Sequence, residues 1–541
     1  MSLSSLPFAF LLATSWRDQL EKALFDDTFD GVHQLVWFDY ALLIPYFILM
    51  AILAIYGMHR YEVIWTYFKH RRKPQPQPKA RFTELPRVTI QLPLYNERFV
   101  VERLLESVTK IDYPMDRLQI QVLDDSTDDT HPFTERLCAE YRAQGFPVDY
   151  IHRTNRHGFK AGALEEGLKT ATGEFTAVFD ADFLIPRDFL HRTIHYFTDP
   201  EIGMVQTRWS YLNRYYNLLT EVQGMLLDGH FVLEHNARFR EGLFFNFNGT
   251  AGILRIAMIR DSGGWEHDTL TEDSDLSYRA QLKGWKFAYV PDVECPSELP
   301  VETHGFQVQQ SRWAKGLTQV AIKLLMRILK SDVPFKVKLE AFCHLTPNIT
   351  YPLMIVVTAM MLPVMIVRFY VGWQQLLLVD TPLLMATFGS VVVFYIVAQR
   401  ERERRSWPRA VLMMPVLMAA GAALTVINTR AVIEALLGVK TAFARTPKYA
   451  IAGTPGEKKK SAAPAKYRSR SGWLPYLELG IGSWFAFMVF YAFDTYNFLA
   501  VPLLSIMVAG YWWAALSTLN QEWKDRLAWQ RARRLEEVRA E

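Results

Sequence analysis

The sequence predicts an α/β domain built on a parallel sheet and joined to a bundle of membrane-spanning helices. Three observations carry that reading. Strands and helices alternate from Arg87 to about Gly305, where no segment is long and apolar enough to cross a bilayer. Apolar runs of bilayer length stand on both sides of that stretch. The 541 residues are 50% hydrophobic and 21% charged, a balance that suits a soluble part joined to membrane helices. Sixty Lys and Arg face 56 Asp and Glu, for a net charge of +4. A nucleic-acid partner would need a stronger basic excess, so none is expected. Cys138, Cys295 and Cys343 lie far apart, which excludes a disulfide framework and a cysteine-rich zinc site.

The first elements belong to the membrane. Residues 3–13 are apolar but too short to span, and read as an interfacial or disordered end. Residues 37–56 carry one charge, Asp39, and are long enough to span. No basic segment precedes them, so they are not read as a signal peptide. Acidic residues come before (Asp18, Glu21, Asp26, Asp27, Asp30) and basic ones after (Arg60, Lys69, Arg71, Arg72, Lys73). The positive-inside rule then puts the N-terminus outside and the domain after Lys69 in the cytoplasm of a bacterial-type inner or plasma membrane. Pro74, Pro76 and Pro78 mark a linker.

The domain follows. Strands are predicted at 88–92, 120–123, 148–152 and 175–179, with helices at 97–109, 131–144 and 160–170 between them. Later apolar runs cover 347–367, 376–397, 410–426, 474–493 and 498–515. The arginines at 400–405 and the basic stretch 448–470 both look cytoplasmic, yet only one run separates them. Residues 410–426 are therefore expected to lie along the interface or to dip in and return, continuing into 429–439. Five spans and an inside C-terminus result. The organisation is 1–73 N-terminal segment and first span, 74–86 linker, 87–316 catalytic domain, 317–343 interface helices, 344–440 membrane and interface helices, 441–472 cytoplasmic loop, 473–516 last two spans and 517–541 charged tail.

Ligands of such sheets sit beyond the carboxyl ends of the strands. There stand Tyr95-Asn96-Glu97, then Asp124-Asp125-Ser126-Thr127-Asp128, then Asp180-Ala181-Asp182. No GxGxxG and no Walker lysine loop is present. Grouped carboxylates without cysteine suit a hard divalent cation, Mg2+ or Mn2+, which also binds substrate phosphates. Thr271-Glu272-Asp273 and Gln309…Arg312-Trp313 come later. Taken singly, each has a plain reading: Asp as a turn or helix-cap residue, Glu272 or Asp273 capping a helix over 274–282, Gln309 to Trp313 one turn of an amphipathic helix, Lys160 a solvated charge. Their occurrence together and in order argues against that.

In that order the motifs resemble a family 2 glycosyltransferase of the cellulose-synthase-like superfamily. Phe247-Asn248-Gly249-Thr250-Ala251-Gly252 and Arg445-Thr446-Pro447-Lys448 are similar to the cellulose-synthase-like A group, the mannan and glucomannan synthases, and its bacterial relatives. The likeness covers roughly residues 87–448. It implies a GT-A, Rossmann-like cytoplasmic domain fused to a transmembrane bundle, using a UDP- or GDP-hexose. It implies that Asp125, with Leu92, Tyr95 and Glu97, contacts the base and ribose, and that Lys160 lies near the diphosphate. Asp180 and Asp182 would hold the cation and diphosphate, and Asp273 would be the general base. Gln309, Arg312 and Trp313 would meet the diphosphate and acceptor, with Gly249, Thr250 and Glu272 on the acceptor side. Residues 443–448 resemble the gating loop of cellulose synthases, with Phe443 and Thr446 near the acceptor and Lys448 near the diphosphate. Arg445 departs from that pattern, and Pro447 stiffens the loop.

Elementary chemistry agrees. A nucleoside diphosphate leaves with growing negative charge, which a divalent cation and Arg312 would neutralise. The acceptor hydroxyl needs a carboxylate to take its proton. A single base fits single displacement, hence inversion to a β-linked product. Trp313 offers a flat face to a pyranose ring and Gln309 a hydrogen bond. The stretch 317–329 is amphipathic and is expected to lie flat on the cytoplasmic leaflet, pinning the acceptor site at the mouth of the bundle. His344 and Asn348 are interfacial or channel-lining. The expected partners are thus a nucleotide sugar, a growing glycan or lipid acceptor, and the bilayer. Two rivals remain at this stage: a non-processive transferase acting on a ceramide- or diacylglycerol-type lipid, and a catalytically silent membrane scaffold.

Overall fold

The structure is a computed structural model that describes residues 33–371, 377–441, 446, 448–451 and 472–540. Its centre is a seven-stranded sheet in the order β3-β2-β1-β4-β6-β5-β7. The strands are β1 (Val88–Leu94), β2 (Leu118–Asp124), β3 (Val148–His152), β4 (Phe175–Val178), β5 (Ile202–Tyr211), β6 (Gly252–Arg255) and β7 (Lys286–Ser297). The first four are the predicted ones, and they pair in parallel. Val88, Ile90, Leu92, Ile120 and Val122 are fully buried, as strands covered on both faces require.

The sheet is mixed rather than purely parallel. β6 runs antiparallel to both β4 and β5, while β5 and β7 are parallel to each other. Chain that sets up this reversal lies between β5 and β6, where two helices and a π-helical turn (Gly229–Glu234) bring the backbone back. Polar residues buried in the ladder, such as Gln206 and Thr207, hide β5 from a hydrophobic-pattern reading.

Among the described residues six helices are long and apolar enough to cross a membrane: Trp37–His70, Pro347–Tyr370, Asp380–Arg402, Trp407–Leu436, Leu474–Asp494 and Val501–Lys524. We name Thr303–Lys330 α1 and Trp407–Leu436 α2. Helix α2 is one continuous element of 30 residues, so it does not dip and return within its length. Its first turns meet the catalytic domain, where Arg409 donates to Glu221 at 2.7 Å and Ala410, Met414 and Leu417 cluster with Val222 and Met225. Its last turn does so again, through Glu434 and Lys315 at 2.8 Å.

Gln309, Arg312 and Trp313 share α1 with the amphipathic stretch after them, so the expected boundary at 316 falls inside a helix. The apolar stripe of α1 is not laid on lipid as expected. Val320, Leu324 and Ile328 pack with Tyr278, Ala341 and Leu345, because the helix Phe335–Leu345 folds back beneath it. Ile322 and Met326 remain exposed.

Candidate active site

One cleft lies beyond the carboxyl ends of the strands. β1 delivers Tyr95 and Glu97 to it, β2 Asp125, and β4 Asp180 and Asp182. The first turn of the helix Glu272–Leu282 brings Glu272 and Asp273. Helix α1 brings Gln309, Arg312 and Trp313 from the membrane side. Lys160, Gly249, Thr446 and Lys448 complete the lining.

The floor is held by a short run of backbone. Gly249 has φ +79° and its carbonyl accepts from Lys160 Nζ at 2.9 Å. Lys160 Nζ also reaches Asp180 Oδ1 at 2.5 Å. The Asp180 N–H donates to Thr250 Oγ1 at 2.8 Å. Asn248 is clamped by two histidines: His235 Nε2 lies 2.7 Å from its Oδ1, and its Nδ2 lies 2.9 Å from His230 Nε2. Gly249 and Thr250 therefore help to position Lys160 and Asp180, and Asn248 is itself fixed beside them.

Enclosure tunes the charged groups. Burial pushes the Asp273 carboxyl up, and the adjacent Glu272 charge adds to this against the pull of Lys160, giving about 7. Burial likewise raises Glu272, eased by Lys160 and Arg312. For Lys160, burial acts downward, but Asp180, Glu272 and Asp273 outweigh it and hold the ammonium above its ordinary value. Asp273 Oδ1 accepts the Ser274 N–H at 2.6 Å, which fixes one oxygen and leaves the other against the floor at Gly249. A buried carboxylate that titrates near neutrality is equipped to take a proton.

Asp182 Oδ2 receives Lys448 Nζ at 2.6 Å. The donor set at Asp180 and Asp182 is carboxylate oxygen, and each oxygen pair already binds a cationic ammonium, so the site fits a hard divalent cation completed by a diphosphate.

Two expected residues are placed otherwise. Leu92 is fully buried in the core beneath the site and does not line the cleft. Thr250 is fully buried as well, and its hydroxyl serves Asp180 instead of reaching an acceptor. Phe443 and Arg445 lie outside the described residues.

Four other side chains were not read from the sequence. Arg153 grips Asp125, Nε to Oδ1 at 2.7 Å, and Arg156 sits 3.2 Å above the Tyr95 ring. Both lie in the loop after β3, where an Arg-rich turn at a strand end was the available signal. Glu298, just past β7, accepts the N–H of Tyr449 at 2.8 Å and of Ile451 at 3.2 Å. Trp209 on β5 lines the cleft opposite.

A second cavity shares Asp273, Gln309 and Trp313 with the first. It continues between the long apolar helices past Met354, Phe388, Met418 and Met507. His344 lines it, while Asn348 donates to the Ala314 carbonyl at 3.5 Å. Trp313 thus stands where the two cavities join.

Residues 86–316 match the family model described as glycosyltransferase like family 2. They form a family 2 glycosyltransferase domain. This domain's mixed sheet with flanking helices is the GT-A-like arrangement. The chain is 42% identical over 263 residues to glucomannan 4-beta-mannosyltransferase 1 of Oryza sativa subsp. japonica, covering 48% of this chain and 50% of that one. It is 43% identical over 254 residues to glucomannan 4-beta-mannosyltransferase 2 of Arabidopsis thaliana, covering 46% and 48%. The chain thus spans half the length, or slightly less, of these curated relatives. A solved structure of a mannosyltransferase from Pyrobaculum calidifontis in complex with GDP-Man and Mn2+ aligns at TM-score 0.47 and 23% identity, over 72% of this chain and 100% of that one. The motif residues Asp125, Asp180, Asp182, Asp273, Gln309, Arg312 and Trp313 all fall inside the glycosyltransferase domain.

Proposed function

We propose that this chain is a membrane-embedded, inverting, metal-dependent β-glycan synthase. It extends a mannan- or glucomannan-like polymer, or a glucan, from a GDP- or UDP-hexose and passes the product through the bundle. The observation that carries the reading is the pair of cavities that meet at Asp273 and Trp313, one lined by carboxylates and cations, the other running among membrane helices. The names of the relatives support mannose as the sugar.

In this reading Tyr95, Glu97 and Asp125 hold the nucleoside, with Arg156 on the Tyr95 ring. Lys160 and Arg312 face the diphosphate. Asp180 and Asp182 hold a divalent cation, which lowers the cost of the departing negative charge. The acceptor ring rests on Trp313, and Gln309 orients a hydroxyl. Asp273 takes that hydroxyl's proton as it attacks the anomeric carbon from the face opposite the leaving diphosphate. One base and one displacement invert the configuration, so an α-linked donor gives a β-linked product.

The membrane topology follows the same reading. The N-terminus is outside, the catalytic domain is cytoplasmic, five helices cross, and α2 lies along the interface against the domain. Both ends of α2 are tied to catalytic-domain side chains, which supports it.

A lipid acceptor is the second reading. Phe306, Met354, Phe388 and Met507 give the second cavity an apolar wall that suits an acyl chain. Membranes holding the full chain, given radiolabelled GDP-mannose or UDP-glucose with Mg2+ or Mn2+, separate the two. A long, β-mannanase- or β-glucanase-sensitive product is expected. A single sugar on an extractable lipid would transfer the assignment to the second reading, and absence of transfer from every nucleotide sugar would remove both.

A further inference from the structure

The two lysines at the carboxylate pair are not equivalent. Lys160 is tied to the Gly249 carbonyl as well as to Asp180, whose side chain is 37% exposed. A second ligand can approach Asp180 without moving Lys160. At Asp182 the carboxylate and the lysine are each only 10% exposed. Lys448 Nζ sits 2.6 Å from Asp182 Oδ2 and 2.6 Å from the Glu298 carbonyl. Glu298 also clasps the backbone just after the lysine, through the N–H groups of Tyr449 and Ile451. The ammonium is therefore held on Asp182 by the structure around it.

Resting on the proposed cation site, we propose that Lys448 and the divalent cation compete for Asp182, and that the donor's diphosphate resolves the competition by taking the lysine. A cation held by the Asp182 carboxylate would share with Lys448 a group that is only 10% exposed. Two cations cannot share that position at low exposure without mutual repulsion far stronger than at a solvated surface. Loading thus requires Lys448 to leave. The diphosphate supplies the destination, because the cleft that takes it is lined by Lys448 as well as by Asp180 and Asp182. The consequence is a coupling: cation alone binds poorly, nucleotide and cation bind well together. An enzyme built this way does not hold its metal in a form that waits for water, and it assembles the charged site only around a donor.

The test is direct binding, independent of turnover. The full chain in nanodiscs is titrated with Mn2+, free Mn2+ being read by electron paramagnetic resonance, with and without GDP or UDP. Wild type is expected to bind Mn2+ about tenfold or more tightly when its nucleotide is present. Lys448→Gln is expected to raise nucleotide-free affinity by about tenfold and to shrink the nucleotide effect. Lys448→Arg keeps the charge and is expected to behave as wild type. Glu298→Gln loosens the clasp and is expected to shift nucleotide-free affinity in the same direction as Lys448→Gln, which covers the case in which one variant does not fold. Unchanged nucleotide-free affinity in both Lys448→Gln and Glu298→Gln overturns the competition while leaving the cation site standing. Unchanged Mn2+ binding in Asp182→Asn, with or without nucleotide, removes the cation site itself.

Discussion

The Cα of Gly249 lies against the carboxylate of Asp273. A Cβ built on it would stand 2.8 Å from Asp273 Oδ2 and 3.5 Å from Lys160 Nζ. With φ at +79°, the position is doubly closed to other residues, by space and by backbone. Gly249→Ala therefore has to move either the base or the floor. We expect a stability loss of about 1–3 kcal/mol from the left-handed backbone. The loss of turnover should be larger, on the order of 10²-fold, because a displacement of about 1 Å at the base is enough for that. Turnover measured beside thermal melting separates the two effects. An Ala variant with unimpaired turnover would show that Asp273 is not held by this contact.

The raised Asp273 carboxyl predicts a pH dependence with a definite sign. A base has to be ionised, so activity should fall on the acid side with a midpoint near neutrality, matching a value of about 7. Stability moves the other way. The folded value lies above the ordinary carboxylate value of about 4. The group's stabilising contribution is then fully present below that value and is lost as pH rises through the folded one. Asp273→Asn, which is neutral at every pH, should melt higher than wild type above about pH 7 and lose the difference as pH falls toward about 4. The same variant should transfer sugar about 10²–10⁴-fold more slowly. A wild type and variant whose melting points run parallel across that range would contradict the assignment of the shift to Asp273.

Why these groups were visible in the sequence while others were not has a physical explanation. Strands β1, β2 and β4 announce themselves because both faces are covered, which makes them short, mostly apolar runs ended by polar residues, while the edge strand β3 is buried only at Val148. The carboxylates at their ends are therefore found by position alone. Trp209 sits on β5, whose inward residues include Gln206 and Thr207, so no pattern marked its strand. Arg153 acts through Asp125 and Glu298 through the backbone of Tyr449 and Ile451. Such partnerships join positions 28 to 153 residues apart, which local spacing does not encode. The family resemblance puts Thr250 on the acceptor side, beside Gly249. The bend at 249–251, just ahead of β6, turns its hydroxyl under Asp180 instead.

That placement makes Thr250 a positioning residue with its own signature. Its hydroxyl is the acceptor for the Asp180 N–H at 2.8 Å. Thr250→Val keeps the volume and removes the acceptor, at a cost of about 1–3 kcal/mol for the unpaired donor. Since Asp180 then loses its backbone anchor, half-saturation by Mg2+ or Mn2+ should shift to higher concentration, with Thr250→Ser restoring it. Titrating the cation in transfer assays checks this. Equal loss in Val and Ser variants would mean that shape, not the hydrogen bond, is what position 250 supplies.

The two tethers of α2 make the topology testable as well. Thirty helical residues at 1.5 Å each cover about 45 Å, more than enough to cross a bilayer. Yet Arg409 near one end bonds Glu221, and Glu434 near the other bonds Lys315, and both partners belong to the catalytic domain or to α1. A crossing helix would carry one of these tethers to the far side. The three native cysteines are buried, so introduced thiols can be labelled over a low background. Cysteines placed at Arg405, just before the helix, and at Leu437, exposed just after it, should react with a membrane-impermeant maleimide from the same side of sealed vesicles, the side on which the catalytic domain is digested by protease. Labelling from opposite sides would make α2 a sixth crossing. The Lys315–Glu434 contact would then have to form across the bilayer, which its 2.8 Å separation forbids, so that outcome would overturn the packing of α2 as well as the count.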